Sequence, residues 1–326
     1  MKTRPLGNQG LQATEVGLGC WQIGGGWGVP WNDAIAQETL SAAYDAGVRF
    51  FDTADGYGDG ASERSLGRFR QSHPDIVIAT KLGRSGGLYP DNYSEEGLRA
   101  ATLHSRKQLG VDRTDLTQLH CVPVEVLRDG RIFDWLRRQR EEGLIAAFGA
   151  SVETVEEGMI CLEQEGLTTL QVIFNIFRQK PAEELLPAAQ AKGVGIIVRL
   201  PLASGLLTGK LDKTTVFSEG DHRNFNRDGQ SFNVGETFAG LPFEKGVELS
   251  EQLRAYVPPA MSMVQMALRW ILDHEAVSVV IPGASSPQQA QANVTAAELS
   301  PLPEALHEQL RAFYAQAVRD EIRGPY

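Results

Sequence analysis

An eightfold alternation constrains this chain more than any other feature. From Glu15 onward, short apolar runs alternate with longer amphipathic ones. The short runs are EVGLGC (15–20), RFFDTA (49–54), DIVIATKL (75–82), DLTQLHC (115–121), AAFGAS (146–151), TLQVIFN (169–175), GIIVRL (195–200) and VSVVIPG (277–283). Each has the length and residue types of a strand buried on both faces, as in a parallel sheet. Between them lie helical patterns such as SEEGLRAATLHSRKQLG, TVEEGMICLEQEG and AEELLPAAQAKG, several closed by a C-terminal Gly. In the second of these, Thr154 and Glu157 form a capping box, and Val155, Met159 and Leu162 share one face. Eight such units predict an α/β fold, a (β/α)8 TIM barrel, with an open doubly wound sheet as the runner-up.

Two short runs around Asn8-Gln9-Gly10 predict an N-terminal hairpin that plugs the barrel bottom, and extra helices follow the eighth strand. The aperiodic stretch 211–242 predicts a long functional loop after strand seven. No composition break divides the chain, so 1–326 is read as one domain. A formal net charge of -10 disfavours a nucleic-acid partner. The three cysteines lack C-x-x-C spacing, so no disulfide framework or metal site is expected, and a reducing cytoplasm suits them. MKTRPLGNQG has no apolar leader pattern, and no apolar run is long enough to span a membrane.

Barrel chemistry gathers at the C-terminal ends of the strands. Asp52 and Tyr57 follow strand two, Lys81 ends strand three and His120 ends strand four. A tyrosine titrates near pH 10, and a neighbouring ammonium favours its phenolate, so Lys81 is expected to lower the Tyr57 pKa. Asp52 keeps that lysine charged when buried. His120 can orient a substrate carbonyl while Tyr57 protonates the developing alkoxide. No side chain supplies a hydride, so a nicotinamide cofactor is required. Asp55, beside them, is read as a turn residue.

These residues carry a resemblance. FDTADGYGDGASERSLG, IATKLG and QLHCVP resemble the aldo-keto reductase pattern F-D-T-A-x-x-Y-G with its S-E-x-x-L-G, lysine and histidine segments. The likeness runs from LGLGCWQIGGG through GASVE, QVIFNIF and PLASGLLTGK to VVIPGASSPQQAQAN. It implies a (β/α)8 barrel that reduces carbonyls or oxidises alcohols with NADP(H), monomeric or homo-oligomeric, with Asp52, Tyr57, Lys81 and His120 as the catalytic tetrad. It also implies that Gly19 and Trp21 border the cofactor and that Ser151 and Gln171 bind the nicotinamide carboxamide.

GLGCWQ lacks the third glycine of a Rossmann fingerprint, and GGGWG (24–28) lacks the G-K-[ST] of a P-loop. In PLASGLLTGK, the segment from Leu202 through Ser204, Gly205 and Leu207 can offer backbone amides to a pyrophosphate, with Lys210 adding charge. Arg199 stands where the family commonly has an aromatic that stacks on nicotinamide. It either stacks in that role or pairs with a carboxylate. After strand eight, Gly283, Ser285, Gln289 and Asn293 replace the cations that the family uses for the 2′-phosphate. The expectation is NADP with a weak preference, NAD being possible. Three functions remain open: carbonyl reductase, NAD-dependent sugar or polyol dehydrogenase, and cofactor-binding regulatory subunit. Trp21, Trp27, Trp31 and the 211–242 loop are candidates for lining the substrate pocket, and the tail EIRGPY for closing over the site or contacting another subunit.

Overall fold

The computed structural model describes residues 1–25, 31–85 and 87–326. A hairpin opens the chain, β1 (Thr3–Pro5) antiparallel to β2 (Gln12–Thr14). Eight parallel strands follow: β3 (Leu18–Gly19), β4 (Phe50–Asp52), β5 (Val77–Leu82), β6 (Leu116–His120), β7 (Phe148–Ser151), β8 (Thr169–Ile173), β9 (Gly195–Arg199) and β10 (Val277–Val280). They pair in chain order, and the parallel bridges Val16↔Val280 and Gly19↔Gly283 join the last strand to the first. The sheet therefore closes into a barrel. Each expected run contains one strand, trimmed at its ends where the chain turns out of the sheet.

Helices wrap the outside: α1 (Asp33–Asp45), α2 (Ala61–Ser72), α3 (Glu95–Leu109), α4 (Val124–Asp129), α5 (Arg131–Glu141), α6 (Val155–Leu162) and α7 (Leu185–Ala191). Then come α8 (His222–Phe225), α9 (Phe243–Leu253) and α10 (Met263–Leu272) before β10, with α11 (Pro287–Val294) and α12 (Glu304–Phe313) after it. Local chemistry explains the boundaries. Ser94 caps α3, which ends at Gly110 in the left-handed region, and Thr154 with Glu157 forms the expected capping box on α6.

Alternation along the strands divides the core in two. Phe50, Ala79, Leu116, Ala147, Ile197 and Val279 point inward and pack on Leu6 and Ala13 of the hairpin region, which plugs the barrel floor. Their sequence neighbours, such as Phe51, Ile78, Phe148, Leu170, Ile196 and Val280, face the helices in a larger outer core. Burying one such side chain contributes about 1.5–3 kcal/mol. One inward step above the apolar floor, the alternation brings Asp52, Lys81, Gln118 and Gln171 to the mouth.

The 211–242 stretch contains α8 and two 3-10 turns, Val234–Glu236 and Phe238–Gly240. Sequence periodicity missed them because each spans too few residues to show a repeat. The loop is pinned from below by Ser204, whose hydroxyl accepts from Phe238 N at 3.1 Å. From above, Arg323 donates to the carbonyls of Gly240, Leu241 and Arg227 and pairs with Asp228. Beside it, the Tyr326 ring lies 4.8 Å from the Arg178 guanidinium. The tail thus packs on this chain's own loop.

Candidate active site

Three strand ends, and the loop after the first of them, deliver the tetrad. Lys81 Nζ donates to Asp52 Oδ1 at 2.6 Å and to the Thr53 carbonyl at 2.7 Å, both side chains being almost wholly buried. The second Asp52 oxygen accepts from Gln171 Nε2 at 2.7 Å and from Gln118 Nε2 at 3.4 Å. This pairing satisfies a carboxylate that burial would otherwise make costly. Burial pulls the Lys81 ammonium down, but Asp52 and Tyr57 outweigh it and hold its pKa above the ordinary value.

Tyr57 stands over this pair, its ring centroid 4.8 Å from Lys81 Nζ and 5.9 Å from the His120 ring. A close glycine contact fixes its position. A Cβ on Gly24 would lie 2.7 Å from the Tyr57 carbonyl, and one on Gly58, at φ +60, 1.9 Å from the Gly24 carbonyl. Only glycines allow the two segments to touch there. The expected lowering of the phenol is corrected: burial pushes Tyr57 up, and the opposing pull of Lys81 offsets this only in part. His120 is held well below the usual imidazole range by burial, then by Lys81 and Arg84, so it is a neutral ring. Its Nδ1 is buried and has no hydrogen-bond partner among the described residues. Asp55 turns back, its amide bonded to the Lys81 carbonyl, and burial raises its carboxyl.

Trp21 stacks on Tyr57 with centroids 5.9 Å apart, and it also meets His222 at 4.9 Å and Phe232 at 6.4 Å. Its place is therefore on an aromatic wall beside the tyrosine, with two partners supplied by the long loop. Trp31 instead lies 43% exposed, its indole donating to the Ile23 carbonyl. Trp27 and part of the GGGWG run lie outside the described residues.

The remaining candidates fit a nicotinamide cofactor, with corrections. Ser151, the last residue of β7, pairs with Gln171 in the middle of β8, the serine hydroxyl donating to Gln171 Oε1 at 3.2 Å. Gln171 gives one amide hydrogen to Asp52 and keeps the other. Gly19 and Gly283 bridge across the β3–β10 seam, where a Cβ on Gly19 would lie 2.9 Å from the Ile281 carbonyl. Leu200, just before the PLASGLLTGK segment, and Ala203, Ser204 and Gly205 within it all have positive φ. The Gly205 and Leu207 amides both bond the Leu202 carbonyl, so neither is available to a pyrophosphate as expected. Lys210, at the end of the segment, is exposed. On the far side, Ser285 N and Oγ donate to Gln289 Oε1, and Asn293 bonds the Gly283 carbonyl. These four residues bring no positive charge.

Arg199 takes the second of its two expected roles. It pairs with Glu236 at 3.6 Å and donates to the Val152 carbonyl at 3.2 Å, while its buried Nε has no hydrogen-bond partner among the described residues. Glu236 also accepts from Arg84 at 2.8 Å, and Arg84 lies 3.6 Å from Glu153. Sequence reading missed Arg84, Glu153 and Glu236. Glu153 follows Ser151 by two residues, just past the end of β7, where a strand-end position could have drawn attention to it. Glu236 sits in an aperiodic loop and gave no signal.

A closed parallel barrel with a buried Lys-Asp pair, a tyrosine and a neutral histidine at its C-terminal mouth defines a class: a barrel oxidoreductase. Residues 15–315 match the model of the aldo/keto reductase family, and the chain belongs to that family as an NAD(P)H-dependent enzyme. It is 31% identical to an uncharacterized oxidoreductase, YqkF, of Bacillus subtilis, the match covering 98% of each chain. It is 29% identical to an NADH-specific methylglyoxal reductase of Escherichia coli, over 92% of this chain and 94% of that one. Among solved structures it resembles glycerol dehydrogenase AKR11B4 of Gluconobacter oxydans, with a TM-score of 0.78 and 27% identity, covering 99% of this chain and 98% of that one. Among the described residues no helix is long and apolar enough to cross a membrane.

Proposed function

We propose that this enzyme transfers a hydride between NADP(H) or NAD(H) and the carbonyl or alcohol carbon of a small aldehyde, ketone or sugar, with Tyr57 as the general acid or base. The observation that carries this reading is the buried Lys81–Asp52 pair at 2.6 Å, with Tyr57 standing 4.8 Å above the ammonium. A reduced nicotinamide bound at the mouth supplies the hydride. The protein's own residues handle the proton. Neutral His120 donates a hydrogen bond to the carbonyl oxygen and orients it. Tyr57 passes its phenolic proton to that oxygen as negative charge develops, and Lys81 favours the phenolate left behind. Asp52 keeps Lys81 charged, and Gln171 and Gln118 hold Asp52. Run backward, the same groups oxidise an alcohol, the direction named for the Gluconobacter relative.

Ser151 and the spare Gln171 hydrogen suit the carboxamide, with Gly19 and Gly283 leaving room at the seam. Uncharged Ser285, Gln289 and Asn293 support use of both cofactors, with NADP(H) only weakly preferred. The Escherichia relative, named as NADH-specific, is compatible with that. We also place the enzyme in the cytoplasm and treat 1–326 as one functional unit, readings supported by three buried free cysteines and one continuous barrel.

The test is oxidation of NADPH and NADH by 4-nitrobenzaldehyde, followed by absorbance. Turnover with both, at a kcat/KM ratio below about a thousand, is expected. No turnover with either cofactor contradicts the reading.

A further inference from the structure

Beside the tetrad lies a cluster that the proton transfer does not use. Arg84 follows β5, Glu153 follows β7, Arg199 ends β9, and Glu236 reaches in from the long loop. Glu236 bridges the guanidiniums, 2.8 Å from Arg84 and 3.6 Å from Arg199. Glu153 approaches Arg84 from another side, and Glu153, Glu236 and Cys121 have ligand atoms within 4.8 Å of one another. Such a triad could suggest a metal, but two arginines already engage the carboxylates. Two carboxylates this close and this buried do not both ionise freely; they share one proton. Burial, then Glu236, pushes Glu153 up to about 8, while Arg199 and Arg84 hold Glu236 below its ordinary value against burial. Among the described residues, the other titratable or charged groups facing the pair are Cys121, His120, Arg178 and His222.

The cluster borders the substrate side. The Arg84 guanidinium lies 5.4 Å from the Phe232 ring centroid, Phe232 meets Trp21, and Trp21 stacks on Tyr57. A line of contacts thus runs from the proton donor to an arginine. An arginine facing such a wall without a carboxylate partner would draw anions into the cleft.

We propose that Glu153 and Glu236 are specificity-determining residues: their one shared negative charge masks Arg84 and Arg199, so that the cleft admits uncharged carbonyl compounds and excludes those bearing a carboxylate. The proposal rests on the catalytic reading above for where the substrate lies. Either glutamate alone can carry the masking charge, because removing one lets the other ionise. The signature is therefore a double substitution that does much more than either single one.

The probes are benzoate and its uncharged counterpart benzamide, titrated by calorimetry into the full chain without turnover. The Glu153→Gln/Glu236→Gln variant is expected to bind benzoate at least about tenfold more tightly than the parent, as a newly available charged hydrogen bond allows. Each single variant is expected to gain less than about threefold, and benzamide binding to stay within about threefold throughout. Adding Arg84→Met should remove the gain. In the parent, whatever the variants do, benzoate affinity should fall between pH 7 and pH 9 as the shared proton leaves, while benzamide affinity stays level. A double variant that gains no benzoate affinity, a single variant that gains as much as the double, or a flat parent profile overturns the proposal. Since binding is read without cofactor, a failed aldehyde assay would count against the catalytic reading and leave this one standing.

Discussion

The two halves of the barrel mouth hold charge by opposite means. On the β4–β6 side, one ammonium meets one carboxylate at 2.6 Å, and both hang from strands inside the sheet. Toward β7–β9, Glu153, Arg199 and the loop's Glu236 meet Arg84, which reaches over from the end of β5, at 2.8–3.6 Å, and the central glutamate comes from a loop. Strand register dictates the first arrangement, whereas the second exists only when the loop is seated. The first should therefore be rigid and intolerant, and the second adjustable through pH and through the loop's anchors. The division suits an oxidoreductase, in which the reacting groups demand fixed geometry and substrate choice can be set by a peripheral segment.

The harshest way to probe this contrast is Lys81→Met, which leaves Asp52 buried with only amide partners. Breaking a buried pair by removing one member costs about 3–5 kcal/mol. Urea unfolding should record a loss of that size. The equivalent cut on the other side, Arg84→Met, should cost clearly less, because Arg199 still partners Glu236. Equal losses would erase the distinction between the halves.

A smaller effect sharpens it through pH. The Glu153 pKa is raised from 4.5 to about 8 in the folded protein, so between those values the folded state holds a proton that the unfolded state has released. Stability from this group is full below about pH 4.5 and is lost as pH rises to about 8. Glu153→Gln should flatten that decline. Melting temperatures across the interval provide the check, and an unaltered slope would mean that the pair shares no proton.

The smallest expected effect concerns the loop's upper anchor. Arg323→Ala removes bonds to Gly240, Leu241, Arg227 and Asp228, costing about 1 kcal/mol. Limited proteolysis should then cut within 211–242 sooner than in the parent. Unchanged cleavage would show that Ser204 and Glu236 suffice to seat the loop.

The same contrast governs what could be read from sequence. All eight strands were legible, because each is a contiguous run of apolar side chains whose period survives in the sequence. Asp52, Lys81 and His120 were legible with them, being strand-end residues whose inward direction follows from alternation. Tyr57 lay in a quotable motif five residues further on. The ionic cluster was legible only in part. Arg199 could be placed at a strand end, but its partner could not be named, since Glu236 arrives 37 residues later from a segment without period. Backbone conformation was hidden too: Gly205 and Leu207 turned their amides onto Leu202 rather than outward. The upward shift of the Tyr57 phenol depended on burial, a property of the assembled mouth.

The central claim is that the rigid half moves the proton and that Tyr57 is the group that carries it. Tyr57→Phe keeps the ring on Trp21 and removes only the hydroxyl, so cofactor binding should be retained while kcat for 4-nitrobenzaldehyde falls by about 10²–10⁴. Cofactor affinity by fluorescence titration and kcat by stopped-flow should be measured on the same preparation. A fall in kcat of less than about tenfold, with cofactor bound as in the parent, would contradict the account.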